Sequence, residues 1–510
     1  MEAVNAIELK GVTKRFGDVI ANDNVNLTVR KGEILSILGE NGSGKTTLMN
    51  MLSGIYFPDE GEIRVDGKEV TIRSPKDSFA LGIGMIHQHF KLINILTAAE
   101  NIILGLPGKE KLNMKQIEKE IKELTDQYGF DLNPAQKIYD MSVSQKQTVE
   151  IVKVLYRGAD ILILDEPTAV LTPQETEKLF AVLRNMRKAG KSIIIITHKL
   201  NEVLELSDRV AVLRKGKYID TVETADATVE SLTEMMVGEK VTLDINRTDP
   251  KAPEKRIEMR GITCRNKEGM KVLKEASFTA CSGEILGVAG ISGSGQKELL
   301  ESVAGLQPIE SGEIFYFSPE GETMKISDMK AEEIKNLGIT LSFVPEDRLG
   351  MGLVGSMDLT DNMMIRSYKE GKHFFADRKA PKKLAEDIVE KLDVVTPGVG
   401  TPVSRLSGGN VQKILVGREI ASNPKVLMVA YPVRGLDINS SYTIYNLLNE
   451  QKEKGVAVIC VGEDLDVLLE LCDKILVLNG GKIAGIVDAR TTTKEKLGLM
   501  MTGQTEEKNE

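Results

Sequence analysis

Eight residues near the amino terminus have the types and spacing to hold a chain of phosphates. Gly39-Glu40-Asn41-Gly42-Ser43-Gly44-Lys45-Thr46 fits the pattern G-x-x-x-x-G-K-[ST] in full. Glycines admit positive φ and let backbone N–H groups come close to phosphate oxygens. Lys45 can reach the β- and γ-phosphates, and Thr46, followed by Thr47, offers a hydroxyl to Mg²⁺. A second group of residues can act on water. Four apolar residues, Ile161 to Leu164, run into Asp165-Glu166, an ordered acid pair suited to holding Mg²⁺ and polarising an attacking water. A third apolar run, Ser192 to Thr197, ends at His198, placed to touch a γ-phosphate.

These side chains converge only if particular elements carry them. Ile34 to Leu38 has strand length, and Lys45 to Leu52 reads as a helix, so the glycine loop lies in a strand–loop–helix setting. The helix N-terminus adds its partial positive charge. Three apolar strands ending in functional residues predict a parallel sheet with its ligand at the strands' carboxyl ends.

The pattern then recurs. Ser142 and Ser407 are 265 positions apart, as are Glu205-Leu206-Ser207-Asp208 and Glu470-Leu471-Cys472-Asp473. Such a period is far too long for a solenoid and fits a duplicated domain of about 250 residues. The expected division is 1–245, a polar, proline-bearing linker at 246–256, a second domain at 257–503, and a disordered charged tail at 504–510.

Each copy is damaged where the other is whole. The second loop, Gly290 to Lys297, has Gln296 in the lysine slot and Lys297 in the hydroxyl slot. Ala430 and Tyr431 replace the acid pair, and Glu463 replaces the histidine. Conversely, the second copy keeps Leu406-Ser407-Gly408-Gly409, whereas the first reads Met141-Ser142-Val143-Ser144. If each copy built its site alone, both sites would be crippled. If the copies pack head to tail, Lys45, Thr46, Asp165, Glu166 and His198 face Ser407, Gly408, Gly409 and Asp437, giving one complete site.

With these motifs together, the chain resembles the tandem ATP-binding subunits of bacterial ABC importers over almost its whole length. The resemblance implies an α/β fold of two P-loop ABC-type ATPase domains. Each would have a parallel-sheet core, an antiparallel β edge and a helical subdomain, here Asn113 to Phe130 in the first copy. It makes 141–145 a degenerate signature loop and Gln88 the Q-loop residue that touches metal and senses the permease. Phe16 becomes the aromatic that stacks on adenine, a role without an aromatic counterpart between Ile262 and Val272. It makes Asp437 the D-loop aspartate, with Thr172 in its place in the first copy. Catalytic roles fall to Glu166, His198, Gln88 and Lys45, with ATP and Mg²⁺ as cofactors. Two integral-membrane permease subunits and an extracytoplasmic binding protein are the implied partners, and the cytoplasmic face of the membrane the implied place. The wording around Leu155 to Glu175 is similar to the nucleoside branch ahead of the monosaccharide branch.

Composition bounds the rivals. A net charge of −9 argues against nucleic acid as the main partner. No apolar run approaches a membrane span, and the start lacks the marks of a signal peptide. Four cysteines without C-x-x-C spacing read as small buried hydrophobes. A soluble tandem ABC ATPase acting on ribosomes would carry a long charged linker, and a DNA-repair type zinc cysteines. A regulator without turnover would not need Glu166 and His198.

Overall fold

The computed structural model describes residues 5–503 except 18, 88–89, 107–112, 170, 239–244, 246, 267–268, 292, 344–351, 366, 369–376 and 435. The chain divides into two compact units, Met1–Thr242 and Leu243–Glu510.

The first unit contains β1 (Asn5–Phe16), β2 (Val19–Arg30), β3 (Ile34–Leu38), β4 (Glu60–Val65), β5 (Lys68–Val70), β6 (Ile83–Ile86), β7 (Ile161–Asp165), β8 (Ser192–Ile196), β9 (Arg209–Arg214) and β10 (Lys217–Glu223). Its helices are α1 (Lys45–Leu52), α2 (Pro75–Ala80), α3 (Ala98–Ile103), α4 (Met114–Tyr128), α5 (Val143–Tyr156), α6 (Pro173–Lys188), α7 (Leu200–Leu206) and α8 (Val229–Val237). An antiparallel four-stranded sheet has the order β2-β1-β4-β5, and a six-stranded sheet the order β10-β9-β3-β8-β7-β6. Within the latter, β6, β7, β8, β3 and β9 run parallel, and β10 closes the edge antiparallel.

Sequence explains these choices. β3 and β8 are buried at every residue, as continuous apolar runs in a sheet covered on both faces should be. α4 turns Ile121, Thr125 and Tyr128 inward, is capped by the Asn113 side chain and stops at Gly129, whose φ of 85° is left-handed.

The second unit repeats the plan with β11 (Lys255–Arg265), β12 (Lys271–Cys281), β13 (Ile285–Gly290), β14 (Ile309–Phe317), β15 (Thr323–Lys325), β16 (Ile339–Phe343), β17 (Val426–Ala430), β18 (Ala457–Val461), β19 (Lys474–Asn479) and β20 (Lys482–Asp488). Its helices are α9 (Gln296–Val303), α10 (Ala331–Asn336), α11 (Leu359–Met364), α12 (Lys379–Lys391), α13 (Gly408–Ile420), α14 (Ile438–Glu453), α15 (Leu465–Leu471) and α16 (Lys494–Thr502). The sheets read β12-β11-β14-β15 and β16-β17-β18-β13-β19-β20.

The recurring aspartate at 208 and 473 has a plain structural purpose. Asp208 accepts the N–H of Ile34 at 2.9 Å, and Asp473 that of Ile285 at 2.8 Å, so each fixes the start of the strand that feeds its glycine loop. The 246–256 segment falls within the second unit. Arg247 donates to the carbonyls of Leu469 and Cys472 at 2.9 and 2.6 Å, and β11 begins at Lys255. Cys264, Cys460 and Cys472 are buried, and burial pushes their thiols up. No helix among the described residues is long and apolar enough to cross a membrane. The tail at 504–510 lies outside the described residues.

Candidate functional site

The carboxyl ends of β3, β7 and β8 bring the phosphate loop, the acid pair and His198 to one edge of the first parallel sheet. Two glycines there cannot be exchanged. A Cβ on Gly39 would stand 2.3 Å from the Leu213 carbonyl oxygen. One on Gly44 would stand 2.4 Å from that of Ala21, where φ is also +96°. Lys45 begins α1 and is buried; its ammonium donates to the Gly39 and Glu40 carbonyls at 2.6 and 2.9 Å. Burial lowers its pKa, against the raising pull of Glu166, Asp165 and Glu40. The Ser43 hydroxyl inside the loop is buried and has no hydrogen-bond partner among the described residues. A cradle of this kind, lined by N–H groups with a cation at its base, accepts a phosphate chain.

Asp165 closes β7, and Glu166 turns sharply away from it with φ of 46°. The Glu166 amide donates to the Ile196 carbonyl at 2.9 Å, tying the turn to the end of β8. Its Oε1 sits 2.9 Å from Nδ1 of His198. The two acids are driven apart electrically. Burial, then the neighbouring Glu166 charge, raises Asp165 from its ordinary 3.8 to about 6. Burial pushes Glu166 the same way, but the His198 bond and the charges of His198, Lys45 and Lys199 outweigh it and leave its pKa lowered. Glu166 is therefore the more readily ionised of the two acids, as suits a general base. Thr46 hydrogen-bonds Asp165, so a hydroxyl and a carboxylate adjoin at the loop. That pair of hard oxygen donors fits Mg²⁺.

Phe16, the last residue of β1, is 44% exposed. Its ring lies 5.1 Å from that of Tyr56, edge to face at 73°. Gln88 lies outside the described residues. Asn41 and Gly42 form the exposed outer arc of the loop beside half-buried Glu40, and Thr47 sits in the first turn of α1.

The second unit keeps the loop and loses its chemistry. Gly293 and Gly295 have φ of 84° and 102°, against 81° and 96° at Gly42 and Gly44. The Gln296 amide donates to the Gly290 and Ile291 carbonyls at 2.7 and 3.2 Å, taking over the bonds that Lys45 makes. Lys297 forms an ion pair with Glu301 at 3.7 Å. Tyr431 repeats the left-handed turn at φ 54°, its amide donating to Val461 at 2.9 Å. Arg434 stands 5.9 Å from the Tyr431 ring and 3.5 Å from Glu463, bridging the places of the missing base and histidine. With Lys297 and Ala430 in place of hydroxyl and carboxylate, these residues do not fit Mg²⁺. Sequence types exposed every one of these losses. The shared left-handed turn was not legible, because neither Glu nor Tyr favours positive φ.

The serines at 142 and 407 each cap a helix. Ser142 accepts the Gln145 amide at 3.2 Å in a reciprocal capping box, and Ser407 accepts from the Asn410 side chain at 3.0 Å. The second of these helices begins at Gly408. Neither Gly408 nor Gly409 has positive φ, and a Cβ on Gly409 would meet nothing nearer than 3.6 Å. The unit's own packing does not demand that glycine. Asp437 caps α14 through Ser440 at 2.7 Å, and Thr172 caps α6 in the same manner.

A family model described as ABC transporter matches residues 22–169 and again 273–432. The chain is 43% identical over 502 residues to the nucleoside import ATP-binding protein NupA of Lactococcus lactis subsp. cremoris, with 98% of each chain covered. It is 42% identical over 506 residues to the guanosine import ATP-binding protein NupO of Bacillus subtilis, again with 98% of each covered. It is 38% identical over 532 residues to the glucose import ATP-binding protein TsgD13 of Haloferax volcanii, covering 98% of this chain and 96% of that one.

Proposed function

Because this chain belongs to the ABC transporter family, as the ATP-binding subunit of an importer, we propose that it energises nucleoside uptake with one competent ATP site. Its enzymatic role is ATP hydrolysis coupled to transport. It works on the cytoplasmic face of a membrane, against two permease subunits served by an extracytoplasmic binding protein. Relatives named for nucleoside and guanosine import stand at 43% and 42% identity, ahead of the glucose importer subunit at 38%. That order supports nucleosides as cargo. The glucose relative keeps a monosaccharide as the second reading.

The observation that carries the one-site reading is the division of losses between the units. The first unit holds Lys45, the Thr46–Asp165 pair and the Glu166–His198 pair; the second holds Ser407, Gly408, Gly409 and Asp437. Lys45 and the loop amides bind the phosphates, and Phe16 stacks on the base. Thr46 and Asp165, with Gln88, hold Mg²⁺, which when bound neutralises charge on the phosphates. Glu166 takes a proton from water, and His198 orients it and touches the γ-phosphate. Ser407 and the bare start of α13 supply the signature groups that the first unit lacks. The absence of any packing demand for Gly409 supports a role for it other than its own unit's fold.

The test is ATPase turnover of the chain assembled with its permease and loaded binding protein in lipid, across nucleosides, pentoses and hexoses. Stimulation by nucleosides alone is expected. Stimulation by a sugar alone would overturn the cargo, and steady hydrolysis deaf to every solute would overturn the coupling role.

A further inference from the structure

The segment that follows the phosphate-loop helix is bonded to the strand that ends in Phe16. α1 carries Lys45 at one end, and soon after its last residue, Leu52, the chain presents Tyr56. The Tyr56 and Phe16 rings meet edge to face at 5.1 Å. Asp59 completes the tie. Its carboxylate accepts the Arg15 amide at 2.6 Å and the Lys14 ammonium at 3.0 Å, and its own amide donates to Thr13 at 2.9 Å. The Lys14 ammonium in turn lies 5.5 Å from the Phe16 ring centre. One short stretch thus holds Phe16 through a neighbouring ring and a pinned cation. Both rings remain open to a ligand, at 44% and 36% exposure, where a pair serving only the core would be covered.

The second unit provides an internal control. Gly11 and Thr13 correspond to Gly261 and Thr263, and Gly54 and Gly61 to Gly305 and Gly312, which sets Asn266 opposite Phe16 and Gln307 opposite Tyr56. The polar tie survives there: Arg265 pairs with Glu310 at 2.9 Å, and the Gln307 amide donates to the Arg265 carbonyl at 2.7 Å. Both aromatic rings are gone, and they are gone together, from the unit that has also lost its lysine and its acid pair. Strand and loop can therefore be joined without the rings, so the rings answer to something other than that joint.

We propose that Tyr56 is a positioning residue for the nucleobase: it holds the Phe16 ring in the attitude that stacks on the base, and so contributes to recognition of the base and not of the phosphates. The proposal rests on reading Phe16 as the stacking residue. The experiment is equilibrium binding to the full-length chain of MgATP and of magnesium tripolyphosphate, which has the phosphates and no base. Wild type, Tyr56→Leu, Tyr56→Phe and Phe16→Ala are compared. Tyr56→Leu should weaken ATP binding about three- to tenfold, the scale of an aromatic pair, and leave tripolyphosphate unchanged. Tyr56→Phe should restore ATP binding. Weakening of both ligands alike by Tyr56→Leu would make the residue merely structural and overturn the proposal. So would unchanged ATP binding in Tyr56→Leu beside a clear loss in Phe16→Ala. If Phe16→Ala itself binds ATP as well as wild type, the stacking reading falls and takes the proposal with it.

Discussion

A neutral amide at Gln296 spans the same two carbonyl positions as the ammonium of Lys45, so one substitution removes a charge and keeps a shape. The acid pair shows the opposite bargain, charge kept at a cost in stability. Asp165 has a folded pKa of about 6, above its ordinary 3.8, so the folded chain holds that proton more tightly than the unfolded one. The carboxyl therefore costs stability progressively as pH rises through that interval, and fully above it. Asp165→Asn should raise the thermal midpoint of the nucleotide-free protein at about pH 8, by the equivalent of about 1–2 kcal/mol after discounting for partial exposure, and by less at about pH 5. It should also abolish turnover. Equal gains at both pH values would refute burial as the cause. At this scale the candidate groups were legible in the sequence, because loop, acid pair and histidine are defined by residue type and order. It did not show that Asp165 and Glu166 are split in pKa, which depends on burial and on the His198 contact.

Elements place these groups, and most were legible for a simple reason. Buried parallel strands write themselves as unbroken apolar runs, and β3, β7 and β8 all run toward the candidate site residues. Helix starts were less legible. The Ser407 side chain caps α13 and sets its start at Gly408. Two glycines in a first helical turn look like breakers in sequence, yet neither has positive φ. This gives a prediction at the scale of the helix. Gly409→Ala should leave the melting temperature unchanged or raise it, since alanine is the better helix former by up to about 1 kcal/mol. Turnover of the assembled transporter should nevertheless fall about tenfold or more, the scale on which a displaced electrostatic contact costs rate. A variant that loses stability and activity in step would mean that the glycine serves its own fold.

At the scale of the whole molecule, the internal period of 265 residues revealed two units before any strand was assigned. The segment around Arg247 was less transparent. Its polar, proline-bearing wording reads as a spacer, while its bonds to Leu469 and Cys472 join it to the second unit. Such long-range partners leave no local trace. Two unequal units predict unequal mutants. Glu166→Gln should lower turnover about 10²–10⁴-fold, the contribution of a general base, with ATP still bound. Tyr431→Phe should leave turnover near wild type. Matching losses in steady-state assays of the two variants would sink the single-site scheme.

The left-handed turn at Tyr431 reaches further than any of these tests. Positive φ is unfavourable for a bulky side chain, and here there is no carboxylate left for the turn to aim. The turn persists because its amide is still held by Val461, as that of Glu166 is held by Ile196. Main-chain geometry is kept in place by neighbours, whereas side chains can be exchanged one at a time. The second unit thus keeps the main-chain course of the first unit's acid-pair turn with a different set of side chains on it.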